Sequence, residues 1–385
     1  MMNLVKSEEC TGCGVCVKVC KKNAISMKKN SEGFSEPIID TDVCIKCGQC
    51  IKKCPMNNQI ELSNYDQMVF AAQNIDIDII QDSTSGGVFY PLAEFILSKN
   101  GVVYGAAWVD GLRVVHIRID NIKDLHMIMK SKYVQSDISM IYDKIENDLK
   151  QGRNILFSGT PCQVAAVKQL FKNYGDKICY VDVVCHGVPS PKIFEEYIQF
   201  LKHRYKKINA YCFRKKIPHL GSYVNVIYSE NRGYIRNWRE LSYAYLFMMG
   251  YISRESCYKC KYACKNRIGD ITLGDYWGVN EFHPTFNNDS GASLVLINSQ
   301  RGEVLFNCIK KSLKIEKSSY ENASKYNEQI VRPAKRPCER NYILKEWKNN
   351  GYNYLYCFYK RRVKGLWKDK LKRILILFVK NEKRN

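Results

Sequence analysis

Eight cysteines in the first sixty residues fall into two runs of one pattern. Cys10, Cys13, Cys16 and Cys20 are separated by two, two and three residues, and Cys44, Cys47, Cys50 and Cys54 repeat that spacing 34 positions later. Thiolate is a soft ligand, and a cube of iron and sulfide takes four of them. Two intervening residues let one loop wrap three corners of a cube, while the fourth cysteine starts a helix and crosses to the other cube. The spacing therefore assigns Cys10, Cys13, Cys16 and Cys54 to one [4Fe–4S] cluster, and Cys44, Cys47, Cys50 and Cys20 to a second. Gly14 and Gly48 take the same place in each loop, where a missing Cβ lets backbone amides approach cluster sulfurs. Zinc sites ordinarily pair two CxxC units over a longer gap, so the matched runs argue against zinc.

A second set of cysteines lies further on. Cys257, Cys260 and Cys264 share a loop just before the strand-like Asp270–Gly274. Cys162 and Cys185 each follow a predicted buried strand, Asn154–Phe157 and Ile178–Val184. Four or five of these thiols could converge on a third [4Fe–4S] cluster. Zinc is an alternative, and so is the common fate of a free cysteine as a small core residue. His186, beside Cys185, is a candidate proton donor, weighed against a purely structural loop histidine.

Three loops carry groups suited to an anion. Thr84-Ser85-Gly86-Gly87 opens a predicted helix, Val88–Ser98. Lys130–Ser136 offers cations and hydroxyls. Ser158–Gln163 sits between a buried strand and a helix, where α/β sheets bind ligands. No G-x-G-x-x-G fingerprint is present, which argues against a Rossmann nicotinamide site.

The elements that must position these residues read as α+β. Short strands at Ala24–Met27 and Pro37–Ile39 flank a polar turn inside the first segment, residues 1–60, and Asn57–Asp66 reads as a linker. Residues 66–150 and 151–344 then form two parts of a larger α/β region in which strands alternate with helices, among them Ile122–Lys130, Ile138–Lys150 and Cys162–Tyr174. Residues 345–385 form a basic helical C-terminal tail. There Val363, Leu366, Trp367, Leu371, Ile374, Leu375 and Phe378 fall on one helical face flanked by lysines and arginines. That pattern suits contact with an anionic membrane surface, or docking on the protein's own core.

Composition narrows the setting. The chain has 385 residues, 18 cysteines and a formal net charge of +22. No apolar run of signal-peptide or membrane-spanning length is present, so the reading is a cytoplasmic protein with reduced thiols, peripheral to the inner membrane face if the tail engages lipid. From Lys335 onward, 16 Lys/Arg stand against 4 Asp/Glu. No nucleic-acid motif accompanies this charge, and no nucleic-acid partner is expected. Residues 1–60 carry nine Lys/Arg and six Asp/Glu, a mildly basic balance suited to an acidic electron carrier.

The first segment resembles bacterial two-cluster ferredoxins. From about Met68 to Leu344, the phrases SGGVF, KYVQS, LFSGTPCQVAA, VDVVCHGVPSP, SCYKCKYA, RIGDITLGDYWG and GASLVLIN resemble the coenzyme F-420 hydrogenase/dehydrogenase beta-subunit family. The resemblance implies an iron–sulfur flavoprotein oxidoreductase with a large α/β flavin-binding domain. It places Ser85, Gly86, Gly87, Lys132 and Thr160 near FAD, and it makes Cys162, Cys185, Cys257 and Cys260 ligands of a third [4Fe–4S] cluster, with Cys264 an extra thiol. It further implies a ferredoxin-type donor, an unidentified organic acceptor, and a setting in bacterial polysaccharide biosynthesis. The alternative is an electron-transfer subunit without a substrate site of its own.

Overall fold

The computed structural model describes residues 4–58, 65–205, 207–216, 223–229, 232–235, 241–286 and 290–382, with side chains described through residue 365. The first segment is built as a repeat. Gly14 and Gly48, at φ 75° and 71°, turn the chain into the one-turn helices Val15–Lys18 and Gln49–Lys52. Only a residue without Cβ takes that backbone conformation at little cost. Between the repeats lies an antiparallel hairpin, β1 (Ile25–Lys29) and β2 (Ser35–Ile39). It is longer than the sequence pattern suggests because Asn30 Oδ1 accepts the N–H groups of Glu32 and Phe34 and so supplies the turn.

The large region is one mixed sheet with helices on it. Its strands are β3 (Met68–Asn74), β4 (Val102–Val109), β5 (Arg113–Ile119), β6 (Ile155–Gly159), β7 (Ile178–Val183), β11 (Ile271–Asp275), β12 (Ser293–Ile297) and β13 (Leu313–Ser318). They are ordered β13-β3-β12-β11-β7-β6-β4-β5. A smaller antiparallel sheet holds β8 (Ala210–Lys216), β9 (Tyr223–Ser229) and β10 (Arg232–Ile235). β4, β6, β7 and β11 run parallel, and β3 shares their direction because both neighbour β12 antiparallel to it. The carboxyl ends of these five strands therefore lie along one edge. Central strands read as continuous apolar runs because both faces are covered: all five residues of β12 are buried.

Several helices end earlier than their periodicity suggests. Ile122–Met127 is 3-10 rather than α, and it stops before Lys130, which takes a left-handed φ of 64°. The helix Pro161–Phe171 starts on a capping box between Thr160 and Gln163. The last helix, Arg340–Glu382, is broken at Gly351 (φ 64°, ψ −167°). Its first turns are not tail: Trp347, Tyr352, Leu355 and Tyr359 are buried, and all but Tyr359 join a core with Phe194, Tyr197 and Tyr243. The predicted apolar face from Leu366 to Phe378 lies outside the described side chains. Among the described residues no helix is long and apolar enough to cross a membrane.

Candidate functional site

Cys10, Cys13, Cys16 and Cys54 line a single cavity with Gly14, Val15, Pro55 and Met56. The crossing fourth cysteine thus stands with the three that the spacing gave it. Burial pushes the thiols of Cys10, Cys13 and Cys16 up, Cys16 to about 12, and each of the three feels its neighbours' charge. They are neutral without metal and would release protons on binding iron. Backbone N–H groups of Gly12, Val15 and Val17 point at the sulfurs of Cys10, Cys13 and Cys16. Among the described residues no three such ligands close tightly enough for one metal ion. A ring of four thiols around a cavity suits a cube of four irons, which is wider than one ion, so the residues fit the group.

The second run lies toward solvent. Burial pushes the Cys50 thiol up, with Cys44 and Cys47 adding to the rise, and Cys47 is exposed. Cys20 and Cys50 pack against the same small core of Leu4, Cys16 and Ile25. Exposed Ile45 and Lys46 border this loop.

Cys162, Cys185, Cys257 and Cys260 form a third mutually interacting set. Burial pushes Cys162 to about 11 and Cys257 to about 12, Cys185 is raised further, and neighbouring thiols add to each shift. Val188 N–H donates to Cys257 Sγ at 3.4 Å, and Thr160 Oγ1 lies 3.2 Å from Cys162 Sγ. Cys264 directs its Sγ at the carbonyls of Lys261 and Asn266 and adds to the rise of Cys260.

The first and third sets face each other across a bonded seam. Tyr142 OH donates to Cys13 O at 2.6 Å and Tyr262 OH to Pro55 O at 3.0 Å. Gln135 Nε2 donates to Thr11 O, and Lys261 Nζ to Pro55 O, Met56 O and Asn58 O. Lys18 pairs with Asp143 and Glu146, Lys259 with Glu8, and Arg340 with Glu32. Tyr262 feels Cys13 and Cys54 on one side and Cys162 and Cys260 on the other.

The residues expected near a flavin gather at the carboxyl edge of the sheet. Ser85 Oγ donates to Ala292 O, and Gly86 N–H to Ser293 Oγ. A Cβ on Gly86 would stand 2.4 Å from Ala72 O, so glycine is required there by packing on β3 and β12, and its amide is already engaged. Thr84 Oγ1 accepts from Ser131 N–H, which brings the Lys130–Ser136 loop to the same edge. Burial holds Lys132 down to about 7, and its Nζ donates to Met129 O and Lys130 O. Lys216 Nζ donates to Ile80 O and Ser85 O and is held down to about 8 by burial. Arg214 pairs with Asp275. His186 lies 5.3 Å from the half-exposed Trp277 ring and is kept below its ordinary value by burial, with Asp275 pulling the other way. Desolvated ammonium groups at an edge that also carries an exposed indole fit an anionic, aromatic ligand.

Residues 152–323 match the family described as the C terminus of the coenzyme F420 hydrogenase/dehydrogenase beta subunit. This region belongs to that beta-subunit family. Two 4Fe-4S dicluster matches, over residues 9–58 and 36–85, overlap at the N-terminal side of it and share the second cysteine run. The beta-subunit region carries the Cys162, Cys185, Cys257 and Cys260 set and the carboxyl-edge loops after β6, β7 and β11. The F420-reducing [NiFe] hydrogenase complex from Methanosarcina barkeri contains a similar chain, 17% identical, with 77% of this chain and 97% of that one covered and a TM-score of 0.46. No curated protein matches the chain.

Sequence reasoning missed Arg214 and Lys216, although their spacing of two along β8 puts them on one face. It also missed Arg254, Tyr142 and Tyr262, whose partners are more than a hundred residues away and leave no local signal.

Proposed function

We propose that this iron–sulfur protein is a flavoprotein oxidoreductase that passes electrons between an acidic ferredoxin-type carrier and an organic acceptor. The supporting observation is the seam: the inner N-terminal thiol set and the beta-subunit thiol set share Tyr262, while the outer set reaches solvent at Cys47. When bound, clusters supply single-electron steps and FAD exchanges single electrons for hydride. Cys10, Cys13, Cys16 and Cys54 would hold the inner cluster, Cys20, Cys44, Cys47 and Cys50 the outer one, and Cys162, Cys185, Cys257 and Cys260 a third. Lys132, Lys216 and Arg214 would bind and orient the flavin's anionic part near Ser85, Gly87 and Thr160. His186, neutral at pH 7, would hold a proton near the reacting edge. The polysaccharide setting rests on the resemblance alone.

A second reading is an electron-transfer subunit serving a separate catalytic chain, which the family's description as a beta subunit favours. Anaerobic purification followed by iron, sulfide and flavin assays tests the first. About twelve irons with one FAD supports it, whereas about eight irons without flavin overturns it. Flavin that only a partner protein reoxidises favours the subunit reading.

A further inference from the structure

Arg254 is 3% exposed. Its guanidinium ends entirely on neutral oxygens: Nε donates to Cys10 O at 2.6 Å, Nη2 to Ser35 O at 2.9 Å and Nη1 to Gln135 Oε1 at 3.2 Å. The Phe34 ring lies 5.2 Å from its centre. Among the described residues no carboxylate pairs with it. The other deeply buried arginines of the same region differ: Arg267 pairs with Asp182, and Arg340 with Glu32 and Glu255. A buried cation without a counter-charge is costly, so something else must balance Arg254.

Its surroundings name the balance. The side chain reaches the backbone of Cys10, while its own carbonyl accepts the N–H of Cys257 at 3.0 Å. Gly12 leaves the room it needs: a Cβ there would stand 2.8 Å from Nη1. One fixed cation thus touches the loops of two thiol sets and leaves the solvent-facing set alone.

We propose that Arg254 is the shared counter-ion of the inner N-terminal cluster and the third cluster, a positioning residue that holds both at higher reduction potential than the outer cluster. Each electron added makes a cluster more negative, and a nearby cation in a poorly polarisable interior stabilises that state. Electrons entering at the solvent-facing Cys47 loop then run downhill to the seam. The third-cluster half of this proposal rests on the reading given above, and the inner half does not.

The test uses the full chain, purified anaerobically as wild type, Arg254→Gln and Arg254→Lys, with iron assays and redox titration followed by electron paramagnetic resonance. In Arg254→Gln the potentials of the inner and third clusters fall and the outer one stays, and Arg254→Lys stays near wild type. Unchanged potentials in Arg254→Gln, an equal shift of all clusters, or the same shift in both variants overturns the proposal. If Arg254→Gln loses iron, Arg254→Lys decides: retained iron with wild-type potentials supports the counter-ion role, and lost iron overturns it. A wild-type content of about eight irons removes the third cluster but leaves the inner cluster's shift to decide the rest.

Discussion

The phenol of Tyr262 donates to the carbonyl of Pro55 at 3.0 Å, so the residue two beyond Cys260 is tied to the residue just after Cys54. Two thiols 206 positions apart in sequence are thereby fixed relative to one another. Electron transfer between two sites depends steeply on their separation, and the buried Tyr262 ring, in one core with Cys13, Met56, Cys162 and Cys260, would hold that separation.

Tyr262→Phe keeps the packing and loses the hydrogen bond, and should cost about 1 kcal/mol. Tyr262→Ala removes the ring and should cost about 3–5 kcal/mol. Urea midpoints measure both. Slower reduction of the beta-subunit site, with reduction of the N-terminal sites unchanged, should appear only in the alanine variant.

The crossing of the fourth cysteines gives opposite expectations for two similar changes. Cys54→Ser should remove about four irons from the inner site and spare the outer one, and Cys20→Ser should do the reverse. Iron assays with electron paramagnetic resonance distinguish them. Loss of the outer signal in Cys54→Ser would reverse the assignment.

Gly33 sits at φ 84°, and a Cβ there would stand 2.3 Å from Lys192 Cβ. Gly33→Ala should therefore push the hairpin off the large region, at about 1–3 kcal/mol for the overlap. Limited proteolysis should show new cleavage between the two regions, while the N-terminal iron content holds.

Lys132 gives a pH dependence with a definite sign. Burial lowers it from 10.5 to about 7, so between those values the unfolded chain binds one proton more than the folded one. Stability should rise with pH across that window, by up to about 1.4 kcal/mol per unit from this group, and Lys132→Met should reduce the slope to what Lys216 contributes above about pH 8. Denaturant midpoints at pH 7 and 9 read it. Flavin affinity should move oppositely, falling above pH 7 as the ammonium is lost, with the fall beginning only near pH 8 in Lys132→Met, where Lys216 titrates.

The cysteine runs were legible because ligating a cube fixes spacing along the chain, and the central strands because burial on both faces leaves unbroken apolar runs such as Leu294–Ile297. The carboxyl edge was legible in part: Thr160 and Cys185 follow strands whose direction the alternation implies. Gly86 was misleading, since a glycine demanded by Ala72 O looks in sequence like one demanded by a phosphate. The start of the last helix was hidden for a different reason. Trp347 is flanked by Lys345 and Lys348, Leu355 lies in a tyrosine-rich run that leads into Lys360, Arg361 and Arg362, and only the core they enter shows that they are not part of a surface tail. Arg254 was out of reach because its three acceptors lie on three separate stretches of chain.

The ion pair of Arg340 with Glu32 bears on how the protein is made. The segment with the eight cysteines is translated before the large region, so its iron can be installed while that region is still being made. Its hairpin gains this anchor only when the final helix emerges. The bonds from Gln135, Tyr142, Arg254 and Tyr262 can seat the segment before then, and the Arg340–Glu32 pair fixes the hairpin last.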